Sequence, residues 1–237
     1  MKRLRRKVKG FLYSIGIHRI IPSSTLDYLG HMGYASAWIS KHKKDTAFGN
    51  FPTQDIEYNY RFKLYDHVLD QLNLRQTPVD YLEFGVFEGV SIKWWAEQLQ
   101  HENSQFHGFD TFSGLPHDFG PYKKGHFGGI EKPVIDDDRL NFHQGLFQQT
   151  LLPYLSTYES SNIKLIHMDA DLYSSTLYVL TLLTPYLKPG DIILFDEFNV
   201  PHHEFKAFKE WSESFYVQYE VLGEVNNYFQ VAIEITE

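Results

Sequence analysis

Residues 79–110 read VDYLEFGVFEGVSIKWWAEQLQHENSQFHGFD and contain the unit from which the rest of the fold can be worked out. Two short apolar runs, VDYLEF and QFHGFD, enclose a segment whose apolar residues recur at helical spacing. This order predicts a strand, a helix and a second strand, and the two strands are expected to lie parallel because a helix connects them. Glu83 lies near the end of the first strand, and Asp110 ends the second.

The same alternation continues to the end of the chain. Three more strands are predicted in DRLNFHQG (138–145), NIKLIHMD (162–169) and DIILFD (191–196), with helical segments after each. Pro201 is expected to open the last helix. YVQYEVLG (216–223) and YFQVAIEI (228–235) are separated by GEVNN, which predicts a hairpin. The sequence therefore predicts a Rossmann-like α/β fold, with a mostly parallel sheet, helices on both faces and a C-terminal antiparallel hairpin.

The chain divides by pattern into residues 1–78 and residues 79–237. In the first region, DIEYNYRFKLYDHVLDQL (55–72) has apolar residues at helical spacing and predicts an amphipathic helix. We expect residues 1–78 to form a basic segment followed by a helical cover, and residues 79–237 to form the main domain.

Charge and cysteine content narrow the class of protein. The net charge is −8, and residues 1–9 hold six of the 22 Lys and Arg residues and no acid, so the rest of the chain is strongly acidic. An acidic body argues against nucleic acid as a partner, because phosphate binding needs a basic face. The absence of Cys excludes disulfides and thiolate metal sites, and we expect a cytoplasmic protein.

The basic start of the chain runs into FLYSIGIHRII (11–21). It does not resemble a secretory signal, because His18 and Arg19 interrupt the apolar stretch. No run is long and apolar enough for a transmembrane helix. A basic, amphipathic start suits an anionic membrane, so we expect peripheral contact through residues 2–9 at the inner membrane surface. A solvated tail, or a helix packed on its own domain, is the alternative.

Carboxylates gather where the predicted strands end. Parallel strands present their carboxyl ends at one edge of a sheet, and ligands of open α/β sheets bind there. The acids expected to converge on that crevice are Glu83, Asp110, Asp169, Asp171, Asp196 and Glu197. Oxygen ligands without Cys suit Mg²⁺ or Ca²⁺, and Asp169, Asp196 and Glu197 lie on neighbouring strands where they could share one cation.

The turn after the first strand indicates a nucleotide-like ligand. Gly85 and Gly89 would let the backbone approach a ligand beside a helix start, although a tight turn is the plainer interpretation. Their spacing, G-x-x-x-G, differs from the dinucleotide fingerprint. Asp110 lies 25 residues after Gly85, where a carboxylate can accept hydrogen bonds from ribose hydroxyls. Together they point to an adenosine-containing ligand.

Five segments of the chain resemble one known family. EFGVFEG, GFDTFSGLP, HQGLFQQTL, IHMDADLYSST and ILFDEF are similar, in order and spacing, to motifs of the macrocin O-methyltransferase (TylF-like) family, across roughly residues 79–200. The resemblance implies a class I methyltransferase fold and an enzyme that uses S-adenosylmethionine and a divalent cation such as Mg²⁺. It also implies O-methylation of a hydroxyl on a sugar or a glycosylated small molecule.

The resemblance also implies roles for individual residues. The S-adenosylmethionine site would comprise Glu83, Gly85, Val86, Gly89, Ser91, Asp110, Gly145 and Leu146. Within it, Ser91 would bind the methionine carboxylate, and Gly145 and Leu146 would border the adenine, although Gly145 could simply be a turn. The metal would bind Asp169, Asp196 and Glu197. Asp169 or Asp171 would be the catalytic base, and Asp171 could instead favour the start of a helix.

A long loop and several histidines complete the expectations. Residues 111–132 carry six aromatic or His residues, which suits a lid or binding loop, with a surface excursion as the alternative. His202 and His203 could line an acceptor pocket or lie exposed, and His167 is expected in the core. A phenol or catechol O-methyltransferase and a non-catalytic adenosine-binding scaffold remain open as alternative functions. The N-terminal region could also contact a second copy of the chain.

Overall fold

The computed structural model describes residues 2–237, with side chains described from Leu4 onward. Within that range the helices are α1 (Lys2–Ser14), α2 (Ser23–His42), α3 (Arg61–Gln71), α4 (Val90–Gln98), α5 (Phe147–Leu155), α6 (Tyr173–Leu183) and α7 (Glu204–Ser214). The strands are β1 (Val79–Phe84), β2 (Gln105–Asp110), β3 (Leu140–Gln144), β4 (Ile163–Met168), β5 (Ile192–Phe195), β6 (Tyr219–Val225) and β7 (Gln230–Ile235).

The seven strands form one sheet in the order β3-β2-β1-β4-β5-β7-β6. Strands β1 to β5 are parallel, whereas β7 is antiparallel to both β5 and β6. The chain starts in the middle at β1, moves outward to β3, and then returns to build the other half from β4. The strand order therefore reverses between β1 and β4, and a reversal of this kind opens a crevice at the carboxyl ends of the strands.

Apolar side chains cover both faces of the sheet. One core joins the sheet to α3 and α4, with Val68, Leu69 and Trp95 fully buried. The other joins it to α5, α6 and α7, and Trp38 of α2 packs against this second core. Helices on both faces explain why the parallel strands are apolar almost throughout. The amphipathic helix predicted in the first region thus packs directly on the sheet.

The predicted architecture is confirmed, and the differences lie at the ends of elements. The last helix begins at Glu204 instead of Pro201, because residues 201–203 form a turn in which the His203 N–H bonds the Val200 carbonyl. Strand β6 extends to Val225, so the hairpin turn is shorter than GEVNN. The predicted 55–72 helix is an α-helix only over Arg61–Gln71.

The N-terminal helices lie mostly on the surface. Ala35 is the buried residue of α2, and the described residues of α1 are exposed or half-buried. The prediction of membrane contact through residues 2–9 falls on α1, where the side chains of residues 2 and 3 lie outside the described part. No helix in residues 2–237 is long and apolar enough to cross a membrane.

Candidate active site

A cavity of about 650 Å³ opens at the carboxyl ends of β1, β2, β4 and β5. It lies where the strand order reverses, as expected for an open α/β sheet. Seven of the predicted site residues line it: Gly85, Asp110, Leu146, Asp169, Asp171, Asp196 and Glu197. Six aromatic side chains complete much of the wall: Tyr58, Phe87, Tyr122, Phe127, Phe147 and Phe229. The cavity wall therefore combines acids with aromatic rings, which suits flat or sugar-like ligands.

Gly85 lies tightly against the backbone that follows β4. Its φ angle is +96°, and a Cβ atom there would lie 1.8 Å from the backbone oxygen of Asp169. Only glycine fits this position, because any side chain would collide with backbone that cannot move aside. The glycine is thus required to bring the β1 turn against the end of β4. The same tight turn also forms part of the cavity wall.

Asp110 fixes the turn after β1. Its Oδ2 accepts the backbone N–H groups of Val86 (2.8 Å) and Phe87 (2.9 Å), and its Oδ1 accepts the N–H of Phe112 (2.7 Å). A carboxylate offers about four lone-pair positions, so these bonds leave about one position for a ligand hydroxyl. Asp110 lines the cavity, and its first role in this structure is to shape the turn.

The other residues predicted for the cofactor lie behind the cavity wall. Gly89 has φ +77°, and a Cβ there would meet the Pro133 ring at 2.9 Å. Val86 and Ser91 are buried. Gly145 has φ +147° and precedes Leu146, the residue of this pair that reaches the cavity. These four positions shape the backbone around the cavity and do not line it.

Glu83 points away from the cavity into the core. It is 1% exposed, and its Oε2 accepts the hydroxyl hydrogen of Tyr81. The Nδ1 of His167 lies 2.9 Å from the Tyr81 hydroxyl and 3.8 Å from the Glu83 carboxylate. Glu83 thus belongs to a buried polar network beneath the cavity floor, although the sequence grouped it with the ligand-binding turn.

His167 connects this network to the acids of β5. Its Nε2 lies 3.2 Å from the Tyr65 hydroxyl and 4.0 Å from Oδ1 of Asp196. Burial lowers the pKa of His167, but bonding and charge from Asp196 and Glu83 outweigh burial and raise it. His167 is therefore the satisfied core histidine that the sequence predicts, and it lies between two buried carboxylates.

Asp196 is held by cations and by a tyrosine from the N-terminal region. Tyr58 donates a 2.6 Å hydrogen bond to its Oδ2, and an Arg61 guanidinium nitrogen lies 3.9 Å from its Oδ1. Burial raises the pKa of Asp196, but His167, Arg61 and Tyr58 together hold it below its usual range. Asp196 is consequently the acid of this group whose charged form its neighbours favour.

The pKa values of the neighbouring acids are shifted in the opposite direction, upward. Burial, followed by the charge of Asp196, raises the pKa of Asp171 to about 7 and that of Asp169 well above its usual value. Burial and the charges of Asp171 and Asp196 raise the pKa of Glu197 to about 8. Carboxyl groups that repel one another in this way are typical of functional sites, where a cation or a shared proton relieves the repulsion.

The donor chemistry of these acids fits a hard cation. Asp196 Oδ1 and Glu197 Oε2 are buried and have no hydrogen-bond partner, and oxygen ligands are what Mg²⁺ and Ca²⁺ prefer. The positions of the side chains do not form a metal site. In residues 2–237 no group of three or more His, Asp or Glu side chains lies close enough together to hold a metal ion. Asp169, Asp196 and Glu197 thus share one end of the sheet without forming a closed set of ligands.

The long loop after β2 covers one side of the cavity. Residues 111–139 contain neither helix nor strand, and Gly114, His117, Tyr122 and Phe127 of this loop line the cavity. The loop folds back on itself, with Leu115 and His126 paired through their backbones. The loop therefore forms one wall of the cavity. This is the position that a lid over the cavity would occupy.

His202 and His203 lie outside the cavity wall. The His203 ring packs edge-on against Phe119 of the loop at 4.8 Å, and the His202 ring packs against Tyr28 of α2 at 5.4 Å. Both rings are half-buried. Their contacts connect the loop and the N-terminal helices to the start of α7.

Tyr58 and Arg61 are the site residues that sequence reasoning missed. They precede or begin α3, and the sequence pattern there indicates only an amphipathic helix. The bond from Tyr58 to Asp196 joins residues 138 positions apart, so no local spacing could reveal it. The guanidinium of Arg61, stacked 3.8 Å from the Tyr58 ring centroid, was equally hidden.

Comparison with known proteins agrees with the fold. Residues 82–198 match the model of a family described as a methyltransferase domain. The calicheamicin methyltransferase CalS11 is similar at 21% identity and a TM-score of 0.57, over 73% of this chain and 80% of that chain. The O-methyltransferase NovP is similar at 20% identity and a TM-score of 0.57, over 76% and 78%. No curated protein matches the chain.

The solved structures are too distant in sequence to transfer an acceptor, and they show the fold. The family model spans both halves of the cavity, from the end of β1 to the acids that follow β5. Residues 82–198 thus match a methyltransferase domain, and the chain shares the fold of the solved methyltransferases CalS11 and NovP.

Proposed function

We propose that this protein transfers the methyl group of S-adenosylmethionine to a hydroxyl of a sugar or glycosylated small molecule, assisted by a divalent cation. The observation that carries the proposal is the cavity between β1 and β4, which joins a glycine turn to a group of buried acids. A donor site and an acceptor site must adjoin for methyl transfer, and these two features adjoin at Gly85 and Asp169.

The proposed donor site is the glycine turn with Asp110 and Leu146. Asp110 keeps a lone-pair position for a ribose hydroxyl, and Leu146 with Phe147 offers an apolar wall for the adenine. The names of the structural neighbours support this class of ligand and acceptor. CalS11 is described as a TDP-rhamnose 3'-O-methyltransferase, and a cmcI structure with a TM-score of 0.50 is described with Mg and S-adenosylmethionine.

For this reaction the protein must align the acceptor hydroxyl with the methyl group and supply a base for the hydroxyl proton. The acceptor oxygen attacks the methyl carbon, the carbon–sulfur bond breaks with its electron pair remaining on sulfur, and the hydroxyl proton must leave the acceptor. Asp169 and Asp171 both line the cavity and are the candidates to take that proton. The loop 111–132 would exclude water and hold the acceptor in line.

Metal assistance is proposed on donor chemistry rather than on geometry. Asp169, Asp196 and Glu197 would hold the cation, which when bound lowers the pKa of an acceptor hydroxyl. Glu197 Oε2, which is buried and accepts no hydrogen bond from the described residues, supports this assignment. Asp196 Oδ1 also accepts no hydrogen bond from them, although the Arg61 guanidinium lies 3.9 Å away. Tyr58, from the cavity wall, and Arg61 would then orient Asp196.

A methyl-transfer assay with labelled S-adenosylmethionine tests the proposal. Sugar nucleotides and glycosylated small molecules would be compared with catechols, each with Mg²⁺ and with a chelator. We expect transfer to a sugar hydroxyl that the chelator suppresses. Replacing the base, Asp169→Asn or Asp171→Asn, should lower kcat about 10²–10⁴-fold. Exposed Asp138, which lies outside the cavity, provides the control Asp138→Asn.

The other outcomes separate the alternatives. Transfer confined to catechols would replace the sugar acceptor with a phenol class. S-adenosylmethionine binding without turnover on any acceptor would favour a binding scaffold. Turnover unaffected by the chelator would remove the cation from the proposal and leave the proton to Asp169 or Asp171 alone.

A further inference from the structure

The first helix carries an apolar stripe that faces solvent. Leu4, Val8 and Phe11 recur at i, i+4 and i+7, which places them on one face of α1, and Ile15 follows one turn later. These four side chains are 67%, 49%, 62% and 40% exposed, respectively. Single exposed apolar residues are common, but a contiguous stripe of large ones marks an interaction surface.

Cations surround this stripe. Arg5, Arg6, Lys7 and Lys9 occupy the remaining positions of the first turns of α1. Residues 1–26 contain seven Lys and Arg residues and no acid, which leaves 15 basic against 30 acidic residues in the rest of the chain. Among the side chains that the structure describes, no ion pair uses a cation of residues 4–21.

The pattern continues beyond α1. Ile20 and Ile21 are 67% and 38% exposed and follow the short 3₁₀ helix Ile17–Arg19. Pro22 follows as the N-cap residue of α2 and ends the segment. We call residues 4–21 the basic apolar segment, because it combines exposed apolar side chains with Lys and Arg residues that make no ion pair with the described side chains, four of them at positions 5–9 and one at Arg19.

We propose that the basic apolar segment binds the surface of an anionic lipid bilayer. A helix of this kind lies in the plane of the interface, with apolar side chains at the acyl boundary and Lys and Arg among the lipid phosphates. Burial of the stripe and attraction of the cations supply the two signals that stable membrane attachment needs. A second copy of the chain suits the segment less, because two such helices would bring like charges together.

Co-sedimentation of the full chain with vesicles tests the proposal. Vesicles of phosphatidylcholine with phosphatidylserine would be compared with vesicles of phosphatidylcholine alone, at low and high salt. We expect binding to the anionic vesicles only, weakened by salt because salt screens exposed charges. The proposal does not depend on the methyltransferase activity.

Charge variants separate the basic contribution from the rest. The triple variant Arg5→Gln, Lys7→Gln and Lys9→Gln should weaken vesicle binding roughly 100-fold, at about fivefold for each cation near an anionic surface. A matched triple variant uses three exposed lysines at the end of α2 and beyond: Lys41→Gln, Lys43→Gln and Lys44→Gln. It removes the same charge and should bind as the wild type does.

Apolar variants test the stripe itself. Replacing Leu4, Val8 and Phe11 by Ser should abolish binding while leaving the melting temperature unchanged, because these side chains are not buried in the domain. Tyr13 is 70% exposed and lies on the opposite face of α1, so Tyr13→Ser is the control that should bind normally.

Four results would overturn the proposal. The wild type could fail to bind anionic vesicles, or bind neutral vesicles equally well. Either triple variant within residues 4–11 could bind like the wild type. Lastly, the wild type could sediment as a dimer that the serine variant converts to a monomer without any vesicle binding, which would make the stripe an interface between two copies.

Discussion

At the scale of single residues, backbone contacts decide the shape of the site. Gly85 brings the β1 turn against Asp169, and Asp110 secures the same turn with three hydrogen bonds. Both residues stood out in the sequence as ligand-binding candidates. Their contacts in the structure show that each first serves to place the backbone that a ligand would meet.

Gly85→Ala should be far more disruptive than an ordinary glycine substitution. A methyl group at Gly85 would collide with the Asp169 carbonyl in addition to straining a φ angle of +96°. We expect more than about 3 kcal/mol of lost stability, above the roughly 1–2 kcal/mol typical of left-handed strain alone, and loss of S-adenosylmethionine binding. Urea unfolding and calorimetric titration would measure the two effects.

Gly190 supplies the matched control for that substitution. Its φ angle is +90°, but nothing lies within 4 Å of the position that a Cβ atom would occupy. Gly190→Ala should therefore show the conformational strain without the collision. Equal losses of stability in the two variants, with binding intact in both, would contradict the role given to Gly85.

At the scale of elements, a histidine pair lies on the two strands at the edge of the sheet. His107 of β2 and His143 of β3 approach to 3.2 Å beneath Tyr154 of α5. Burial and the nearby His143 lower the pKa of His107 from 6.5 to about 4. The pair is thus accommodated in its neutral form.

Acid should destabilise the protein through this pair. Because the pKa of His107 is lower in the folded state, the unfolded chain binds more protons between pH 6.5 and pH 4. The stabilising contribution is therefore present above pH 6.5 and is lost as the pH falls towards 4. The expected loss is about 3 kcal/mol at most, at about 1.4 kcal/mol per pH unit.

Urea unfolding at neutral and acidic pH would measure this effect in the wild type and in His107→Gln. The variant should lose less stability on acidification, because it has one titrating group fewer in the folded core. Exposed His18 provides the control His18→Gln, which should keep the wild-type pH profile. A profile in His107→Gln identical to that of the wild type would contradict the prediction.

At the scale of the whole molecule, the sequence predicted the sheet well because two independent sequence signals identify most of its parallel strands. An apolar run and a terminal acid or glycine define β1, β2, β4 and β5, and the helices between them require parallel pairing. The gathering of acids at one edge followed from that topology. The cavity lies where this reasoning placed it.

Contacts across the chain were beyond the sequence. The sequence could not show whether Glu83 faces the ligand or the core, because that depends on how its strand packs between the two helical layers. In the structure Glu83 faces His167 in the core. The partners of Asp196 come from Tyr58 and Arg61, in a region with no recognisable motif. Sequence pattern thus identified which acids gather but not which of them are already occupied by neighbours.

The measurement closest to the central claim is calorimetric titration of S-adenosylmethionine into the wild type and Asp110→Ala. The claim is that the cavity between β1 and β4 binds this donor. We predict one binding site in the wild type and an affinity at least roughly tenfold lower in Asp110→Ala, which loses charge-assisted hydrogen bonds. The control Glu102→Gln, at an exposed position outside the cavity, should match the wild type. No binding by the wild type, or equal affinity in Asp110→Ala, would contradict the claim.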